Sequence, residues 1–295
     1  MKDAQTMAIG SIAVGVVVLA MKLAAWWVTG SAAMFSDAAE TVVNVVAAGV
    51  AYLALRMAAR PADANHPYGH DKAEFFAAVI EGSLIVLASA LIVEQAWLHF
   101  LHPEPLEQGP LGLALNAGST VFNVAWALLL MRRGKALRSP ALVADAHHLL
   151  ADVVTSIGVL IGVGLVLSTG LVWLDPLVAV LAAAYVLVSG ILVIKGSVGG
   201  LMDAAPAEEI VSRIRAIVGE HAEGAIEAHD LRTRHAGRLT FLEFHLVVPG
   251  AMAVRDAHDI CDRIEAALKA EMDGLMITIH VEPEAKAKHH GVLVL

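Results

Sequence analysis

Long apolar stretches dominate the first two thirds of the chain. They cover about 7–29, 32–57, 74–100, 111–132, 140–168 and 174–199. A helix of roughly 20 apolar residues is long enough to cross the hydrocarbon core of a bilayer. Short connections rich in Gly, Pro or charge separate the stretches. The pattern therefore predicts a membrane all-α bundle of six transmembrane helices.

The pattern changes after about residue 202, where apolar runs shorten and charge rises. An amphipathic helix is expected at 208–218, strands at 225–233 and 239–248, a second helix at 253–271 and a last strand at 275–281. This order predicts a small cytoplasmic α+β domain of the ferredoxin-like or metallochaperone-like kind. We predict a transport domain at 1–202, a metal-binding and dimerisation domain at 203–285, and a flexible tail at 286–295.

Positive charge is confined to alternate connections. The cationic residues of the second and fourth connections are Arg56, Arg60, Lys72, Arg132, Arg133, Lys135 and Arg138. The connections at 29–31, 101–110 and 168–173 contain neither Lys nor Arg. Because Lys and Arg are enriched in cytoplasmic loops, we expect a multi-pass protein of the cell (inner) membrane with both termini in the cytoplasm.

Composition agrees with this membrane assignment and excludes other classes. The chain has 295 residues, of which 58% are hydrophobic, and its mean hydropathy is +0.69. The net charge of −9, without a basic patch, argues against nucleic acid as a partner. Cys261 is the single cysteine of the sequence, which excludes an intramolecular disulfide framework and a multi-cysteine metal cluster.

Two of the apolar spans contain the same polar pattern, in which an Asp is followed three and seven residues later by side chains that can bind a metal. These side chains are Asp37, Glu40 and Asn44 in the second span, and Asp145, His148 and Asp152 in the fifth. Such offsets place the three side chains on one face of a helix. Ionisable groups at membrane depth cost roughly 2.5 kcal/mol or more each, so we expect the two faces to meet and to act together.

Four of these side chains form the predicted transport site, namely Glu40, Asn44, His148 and Asp152. Four such ligands suit tetrahedral Zn²⁺, and oxygen-rich variants suit Fe²⁺, Co²⁺ or Mn²⁺. Asp37 and Asp145 are candidates for accessory ligands. The alternative is a hydrogen-bonded polar clamp between two helices, with no ion.

The paired motifs Asp-x2-Glu-x3-Asn and Asp-x2-His-x3-Asp resemble those of the cation diffusion facilitator family. The connection at 61–74 and the string at 228–234 also resemble that family. The likeness is closest to bacterial ferrous-iron/zinc efflux pumps, and it implies a homodimer that exchanges a cytosolic divalent cation for protons. Those pumps have Asp where this chain has Glu40 and Asn44, which leaves the identity of the metal and the number of protons open.

A second cluster, Asp63, His66 and His70, lies in the connection between the second and third spans. The spacing D-x2-H-x3-H is compact enough for one ion, and the resemblance implies a second cation site there. The alternative is a solvated polar loop.

The cytoplasmic domain is rich in histidine. His229, His245 and His280 lie on or beside its three predicted strands, His258 lies on its second helix, and Glu282 follows the last strand. The resemblance places these five residues at a two-metal site near a dimer interface, with Glu282 in the place of an Asp.

The resemblance and the ligand chemistry together imply a secondary active transporter, a metal/proton antiporter. Its predicted substrates are Zn²⁺ or Fe²⁺, with Co²⁺, Cd²⁺ and Mn²⁺ as further candidates. Its predicted partners are these ions, protons, membrane lipid and a second copy of the chain. No organic cofactor is expected, and the sequence lacks a P-loop motif for ATP. A channel, a membrane metal sensor and a metal-dependent membrane enzyme are the alternatives, although no hydrolytic motif supports an enzyme.

Overall fold

The structure is a computed structural model, which describes residues 2–29, 32–101, 110–288 and 292–293. It divides into two compact units, Met1–Val198 and Gly199–Leu295. This division lies a few residues before the boundary at 202 that the sequence predicts, because the last turn of the sixth helix falls in the second unit.

Long helices build the first unit. Their bounds are α1 Lys2–Thr29, α2 Ala32–Ala58, α3 Ala73–Leu101, α4 Pro110–Ala136, α5 Pro140–Thr169 and α6 Leu174–Leu201. Among the described residues, α1, α2, α3, α5 and α6 are long and apolar enough to cross a membrane. Helix α4 is less apolar because it contains Asn116 and Asn123 and, near its end, Arg132, Arg133 and Lys135. It packs along α1 and α5.

Small side chains let the helices of the bundle approach closely. The core of the bundle is largely alanine, including Ala8 of α1, Ala51 of α2, Ala127 of α4 and Ala146 of α5. Helices α3 and α6 meet at glycines, and a Cβ atom on Gly82 would lie 3.2 Å from the carbonyl oxygen of Gly190. Small residues at helix contacts are typical of membrane bundles, in which close van der Waals packing replaces the hydrophobic effect.

The second unit is a four-stranded sheet with two helices. Its elements are α7 Glu208–His221, β1 Glu227–Ala236, β2 Leu239–Val248, α8 Val254–Glu271, β3 Leu275–Pro283 and β4 Val292–Leu293. The strand order is β3-β2-β1-β4, with β2 and β3 parallel and the other pairs antiparallel. Alternate residues of β2, among them Leu242, Phe244 and Leu246, pack in one core with Ile214 of α7 and Ile264 of α8.

The end of the chain differs from its prediction. The sequence predicts a flexible tail at 286–295, whereas Val292 and Leu293 form β4 and pair with Ala228 and Glu227 of β1. The physical reason is that β1 would otherwise be an edge strand, and two apolar residues can satisfy its exposed backbone groups. An ion pair between Lys288 Nζ and Asp230 Oδ2 at 2.5 Å also holds this end of the chain to β1.

We expect Gly82→Ala to destabilise the bundle by about 1–3 kcal/mol, the usual cost of overpacking a tight contact. The added Cβ would lie 2.7 Å from a side-chain carbon of Ile194 and would push α3 away from α6. Thermal unfolding in detergent measures the effect. Gly49→Ala on α2 is the matched control, since nothing lies within 4 Å of its Cβ position. Equal melting temperatures for the two variants would contradict the close contact.

Candidate metal centres

Helices α2 and α5 meet through three of the predicted transport-site side chains. The Nε2 atom of His148 lies 2.7 Å from Oδ1 of Asn44, and Nδ2 of Asn44 donates a hydrogen bond to Oδ2 of Asp152. His148 and Asn44 are buried, with 6% and 8% of their surface exposed. Asn44 thus bridges the two side chains that α5 contributes, which brings together nitrogen and oxygen ligands from helices that lie far apart in the sequence.

The start of α5 is fixed by local sequence and by a contact with α3. Ser139 is the N-cap, its hydroxyl accepts a hydrogen bond from the backbone N–H of Leu142, and Pro140 begins the helix. The same hydroxyl donates to the buried carboxylate of Glu74 on α3. This double contact sets the position of α5, and with it the position of His148 and Asp152.

The other predicted members of this site are placed differently. Glu40 lies one turn before Asn44 on α2 with an exposed side chain, close enough to His148 for their charges to interact. Asp145 is buried and hydrogen-bonds to Ser11 of α1, and its charge also acts on His148. The side chain of Asp37 lies outside the described residues.

The loop between α2 and α3 brings Asp63, His66 and His70 together. Their ligand atoms lie within 4.8 Å of one another, with His70 Nε2 at 3.5 Å and His66 Nδ1 at 3.3 Å from the Asp63 carboxylate. Asp63 and His66 are exposed, whereas His70 is buried and its Nδ1 atom has no hydrogen-bond partner. Gly69 has a φ of 85°, a left-handed conformation that favours glycine and turns the chain between the two histidines.

Backbone N–H groups stabilise the ionised form of Asp63. Its Oδ1 atom accepts hydrogen bonds from the N–H groups of His66 at 2.8 Å and Asn65 at 2.9 Å. The bond from His66 is the main reason that the pKa of Asp63 lies below its usual value. The carboxylate is therefore ionised at neutral pH and carries the charge that a cation ligand needs.

In the cytoplasmic unit, strand register aligns the histidines. His229 of β1 pairs with His245 of β2, and His245 pairs with His280 of β3. Val247, two residues after His245 on β2, pairs with Glu227 of β1 on one side and with Glu282 of β3 on the other. These three residues form the next row across the sheet. Because side chains alternate between faces, both rows project from the face opposite to the one covered by α7 and α8. One sheet face therefore carries three imidazoles and two carboxylates.

Glu282 is the centre of this cluster. Its carboxylate oxygens lie 3.3 Å from Nε2 of His229 and 3.3 Å from Nδ1 of His245, and 3.7 Å from Nε2 of His280. The ring centroids of His229 and His245 are 5.3 Å apart, and those of His245 and His280 are 5.0 Å apart. Imidazole and carboxylate groups at this density form a set that can bind Zn²⁺ or a similar divalent ion.

His258 lies apart from this cluster within one chain, so its predicted place at a dimer-interface site stays a prediction. It lies on α8, with 73% of its side chain exposed and Asp262 as its neighbour at 3.8 Å. The reason is the packing of α8, which buries Ala257, Cys261 and Ile264 against the other face of the sheet. His258 consequently projects away from the three aligned histidines.

The sequence reasoning missed two residues beside this cluster. Glu227 is 1% exposed, and its carboxylate lies 3.2 Å from Nδ1 of His229. The sequence does indicate Glu227, since a strand places residues i and i+2 on one face and Glu227 lies two residues before His229. Asp230 has a ligand atom within 4.8 Å of those of His229 and His245. It has a φ of 53° at an irregularity of β1, which the alternating pattern does not reveal. A hydrogen bond from Lys288 lowers the pKa of Asp230.

Several buried polar atoms make no hydrogen bond, and most of them lie at these three clusters. Among the described residues, the side chains concerned are His70, Glu81, Asp145, His148, His229 and His245. Nearly all buried polar groups in folded proteins have a hydrogen-bond partner, so such atoms require an explanation. Apart from those of Glu81, all belong to or adjoin the predicted metal clusters, where an ion would satisfy them.

Two family models match the chain in succession. The cation efflux transmembrane domain matches residues 8–202, and the cytoplasmic domain of cation efflux proteins matches residues 206–284. The chain belongs to the cation diffusion facilitator family. As a member of this family it is a cation efflux transporter of the membrane and not an enzyme.

Full-length relatives agree with the cation diffusion facilitator assignment. The chain is 40% identical over 280 residues to an uncharacterized transporter of Synechocystis sp., covering 95% of this chain and 90% of the relative. It is 33% identical over 273 residues to the cation-efflux pump FieF of Shewanella oneidensis, covering 92% of each. Among solved structures of single domains, the chain is also similar to the metal-bound C-terminal domain of the CzcD transporter from Thermotoga maritima. The identity is 28% and the TM-score 0.26, over 28% of this chain and 94% of that domain. This likeness is not part of the assignment.

We expect His229→Ala to weaken Zn²⁺ binding at the cytoplasmic cluster by about tenfold or more, since even outer-shell changes cost about 10–100-fold. The matched control is His235→Ala on the same strand, where the imidazole faces Thr240 at 3.1 Å instead of the cluster. Calorimetric titration of the full-length protein with Zn²⁺ separates the two variants. An equal loss of affinity in both would mean that β1 is perturbed as a whole.

Proposed function

We propose that the protein exports Zn²⁺ or Fe²⁺ from the cytoplasm in exchange for protons. The observation that carries this proposal is the cluster of Asn44, His148 and Asp152, in which buried and half-buried side chains from α2 and α5 lie in direct hydrogen-bonding contact. An ion at this position would replace the hydrogen bonds of the Asn44 amide and would take Glu40 as a fourth ligand. Co²⁺, Mn²⁺ and Cd²⁺ are further candidate substrates.

Proton coupling follows from the chemistry of these ligands. His148 and Asp152 must lose their protons to bind a metal ion, so protons and metal compete for the same atoms. When the cluster faces an acidic exterior, protons would displace the ion outwards. When it faces the cytoplasm, a new ion would displace the protons inwards. The exchange needs no ATP.

The identity of the metal depends on Asn44. Its amide is neutral, so the cluster carries less negative charge than one with a carboxylate at this position. Fewer anionic oxygens weaken the preference for hard, oxygen-seeking ions such as Mn²⁺ and favour Zn²⁺, which accepts imidazole nitrogen readily. We therefore place Zn²⁺ first among the candidate substrates.

The remaining clusters fit a regulated dimer in the inner membrane with both termini in the cytoplasm. The loop site of Asp63, His66 and His70 would bind a second cation. The site of His229, His245, His280 and Glu282 would bind one or two more. A second copy of the chain would supply the exposed His258 to that site. Metal at these positions can bias transport only if it binds one state of the protein more tightly than the other.

We expect His148→Ala to abolish the Zn²⁺ flux that an imposed pH gradient drives into proteoliposomes, because it removes a metal ligand that is also a proton acceptor. The matched control is His147→Ala. This neighbour faces α6, with Nδ1 3.1 Å from the hydroxyl of Ser189, and should leave the flux largely intact.

The same pair of variants separates transport from the polar-clamp alternative. A clamp stabilises the bundle without binding an ion, so His148→Ala would lower the melting temperature while metal flux persisted. Full pH-driven transport by the His148→Ala protein would refute the assignment of the site.

Asn44→Asp should shift metal preference, since it adds one anionic oxygen and one titratable group to the cluster. We expect Mn²⁺ and Fe²⁺ flux to rise relative to Zn²⁺ flux, and the number of protons exchanged per ion to increase. Flux measured metal by metal, with a pH-sensitive dye inside the vesicles, tests both expectations. An unchanged preference would indicate that Asn44 does not contact the ion.

A further inference from the structure

Glu81 of α3 is a buried carboxyl group that the proposed transport site does not use. None of its surface is exposed, and neither of its carboxylate oxygens has a hydrogen-bond partner. The next residue, Gly82, is the point at which α3 packs against Gly190 and Ile194 of α6. This close helix contact excludes water from the neighbourhood of the carboxyl group.

Among the described residues, Asp145 of α5 is the ionisable residue whose charge acts on Glu81. It is 4% exposed. One of its oxygens has no partner, while the side chain hydrogen-bonds to Ser11 of α1. Ser11 in turn accepts a hydrogen bond from the indole N–H of Trp126 at 2.9 Å. From α6, the groups beside Gly82 are Gly190 and Ile194, neither of which carries charge.

This carboxyl pair lies between the transport cluster and one end of the bundle. That end is marked by the contact between Ser139 and Glu74, where α5 and α3 begin. Glu81 follows Glu74 by seven residues, or about 10 Å along the helix axis. Asp145 lies between Ser139 and His148 on α5, about one helical turn from His148. The charges of Asp145 and His148 interact.

A fully buried carboxylate without a hydrogen-bond partner is too unstable to persist as an anion, because its desolvation is uncompensated. Two buried carboxyl groups in mutual range oppose double ionisation further. We propose that Glu81 binds a proton and forms a proton site separate from the metal cluster. The ligand is H⁺, and the residue that holds it is a neutral carboxylic acid.

This inference rests on the proposed proton exchange and assigns a route to it. The end of α4 carries Arg132, Arg133 and Lys135, and the loop that joins it to α5 carries Arg138, so this end of the bundle is the expected cytoplasmic end. Glu81 would first release its proton towards the cytoplasm. The resulting carboxylate would then be reprotonated by a proton that an incoming ion displaces from His148 or Asp152.

Glu81→Gln tests the proposal, because glutamine has nearly the shape of the protonated acid but cannot titrate. We expect Zn²⁺ exchange at equal pH on both sides of proteoliposomes to be unchanged, and the stimulation of flux by a pH gradient to fall to near the level without a gradient. Glu81→Asp should retain part of that stimulation. The matched control is Glu94→Gln on the same helix, where the side chain is exposed and wild-type behaviour is expected.

Infrared difference spectroscopy of the purified full-length protein gives an independent readout. A carbonyl band of a protonated carboxylic acid that shifts in D₂O should be present in the wild type and absent in Glu81→Gln. If the wild type shows the band but no gradient-dependent flux, the proposed exchange fails and the proton site stands. Absence of the band in the wild type overturns the proton site. So does full gradient stimulation in Glu81→Gln, or a loss of Zn²⁺ exchange at equal pH, which would place Glu81 on the metal path.

Discussion

The bundle depends on one constraint, namely that polar groups buried among apolar helices need a partner. Asn44 satisfies this constraint for two helices at once, because its amide binds His148 through oxygen and Asp152 through nitrogen. Removing such groups from water without a partner would cost several kcal/mol. The cluster therefore holds α2 and α5 together when no ion is bound, and it presents the ligands that an ion needs.

The same constraint explains why the other unsatisfied atoms lie where they do. Under the proposed function, a proton at Glu81 would remove its charge, and an ion would bind His229 and His245, whose buried nitrogens make no hydrogen bond. Buried groups that take part in such an exchange would have to change partners during each cycle. Permanent hydrogen bonds at all of these atoms would prevent it.

Close helix packing determines which polar groups are shielded from water. Ala8, Ala51 and Ala127 let helix axes approach in the core of the bundle, and Gly82 and Gly190 do so for α3 and α6. Glu81, the residue before Gly82 on α3, is fully buried.

Sheet register plays the corresponding part in the cytoplasmic unit. His229, His245 and His280 come from three strands, and pairing places them in one row. Glu282 lies in the next row, within 3.7 Å of all three. In the sheet, strand pairing alone brings these side chains together. In the bundle, the side chains meet only when helices that are remote in sequence pack against each other.

The sequence alone determined the elements and the chemistry of the clusters. Apolar length and period predicted the helices and strands, because each reflects local backbone geometry and burial. The pattern of offsets placed Asn44 on one helix face, and His148 and Asp152 on another, since those offsets are fixed within a helix. The resemblance to the cation diffusion facilitator family came from the same motifs.

Only the tertiary structure decided which side chains meet. It gave Asp145 a hydrogen bond to Ser11 of α1, and it placed His258 on the helix side of the sheet. It also buried Glu81 completely and formed β4 from a predicted tail. These outcomes depend on contacts between segments that are distant in the chain, and periodicity within a single segment carries no information about such contacts.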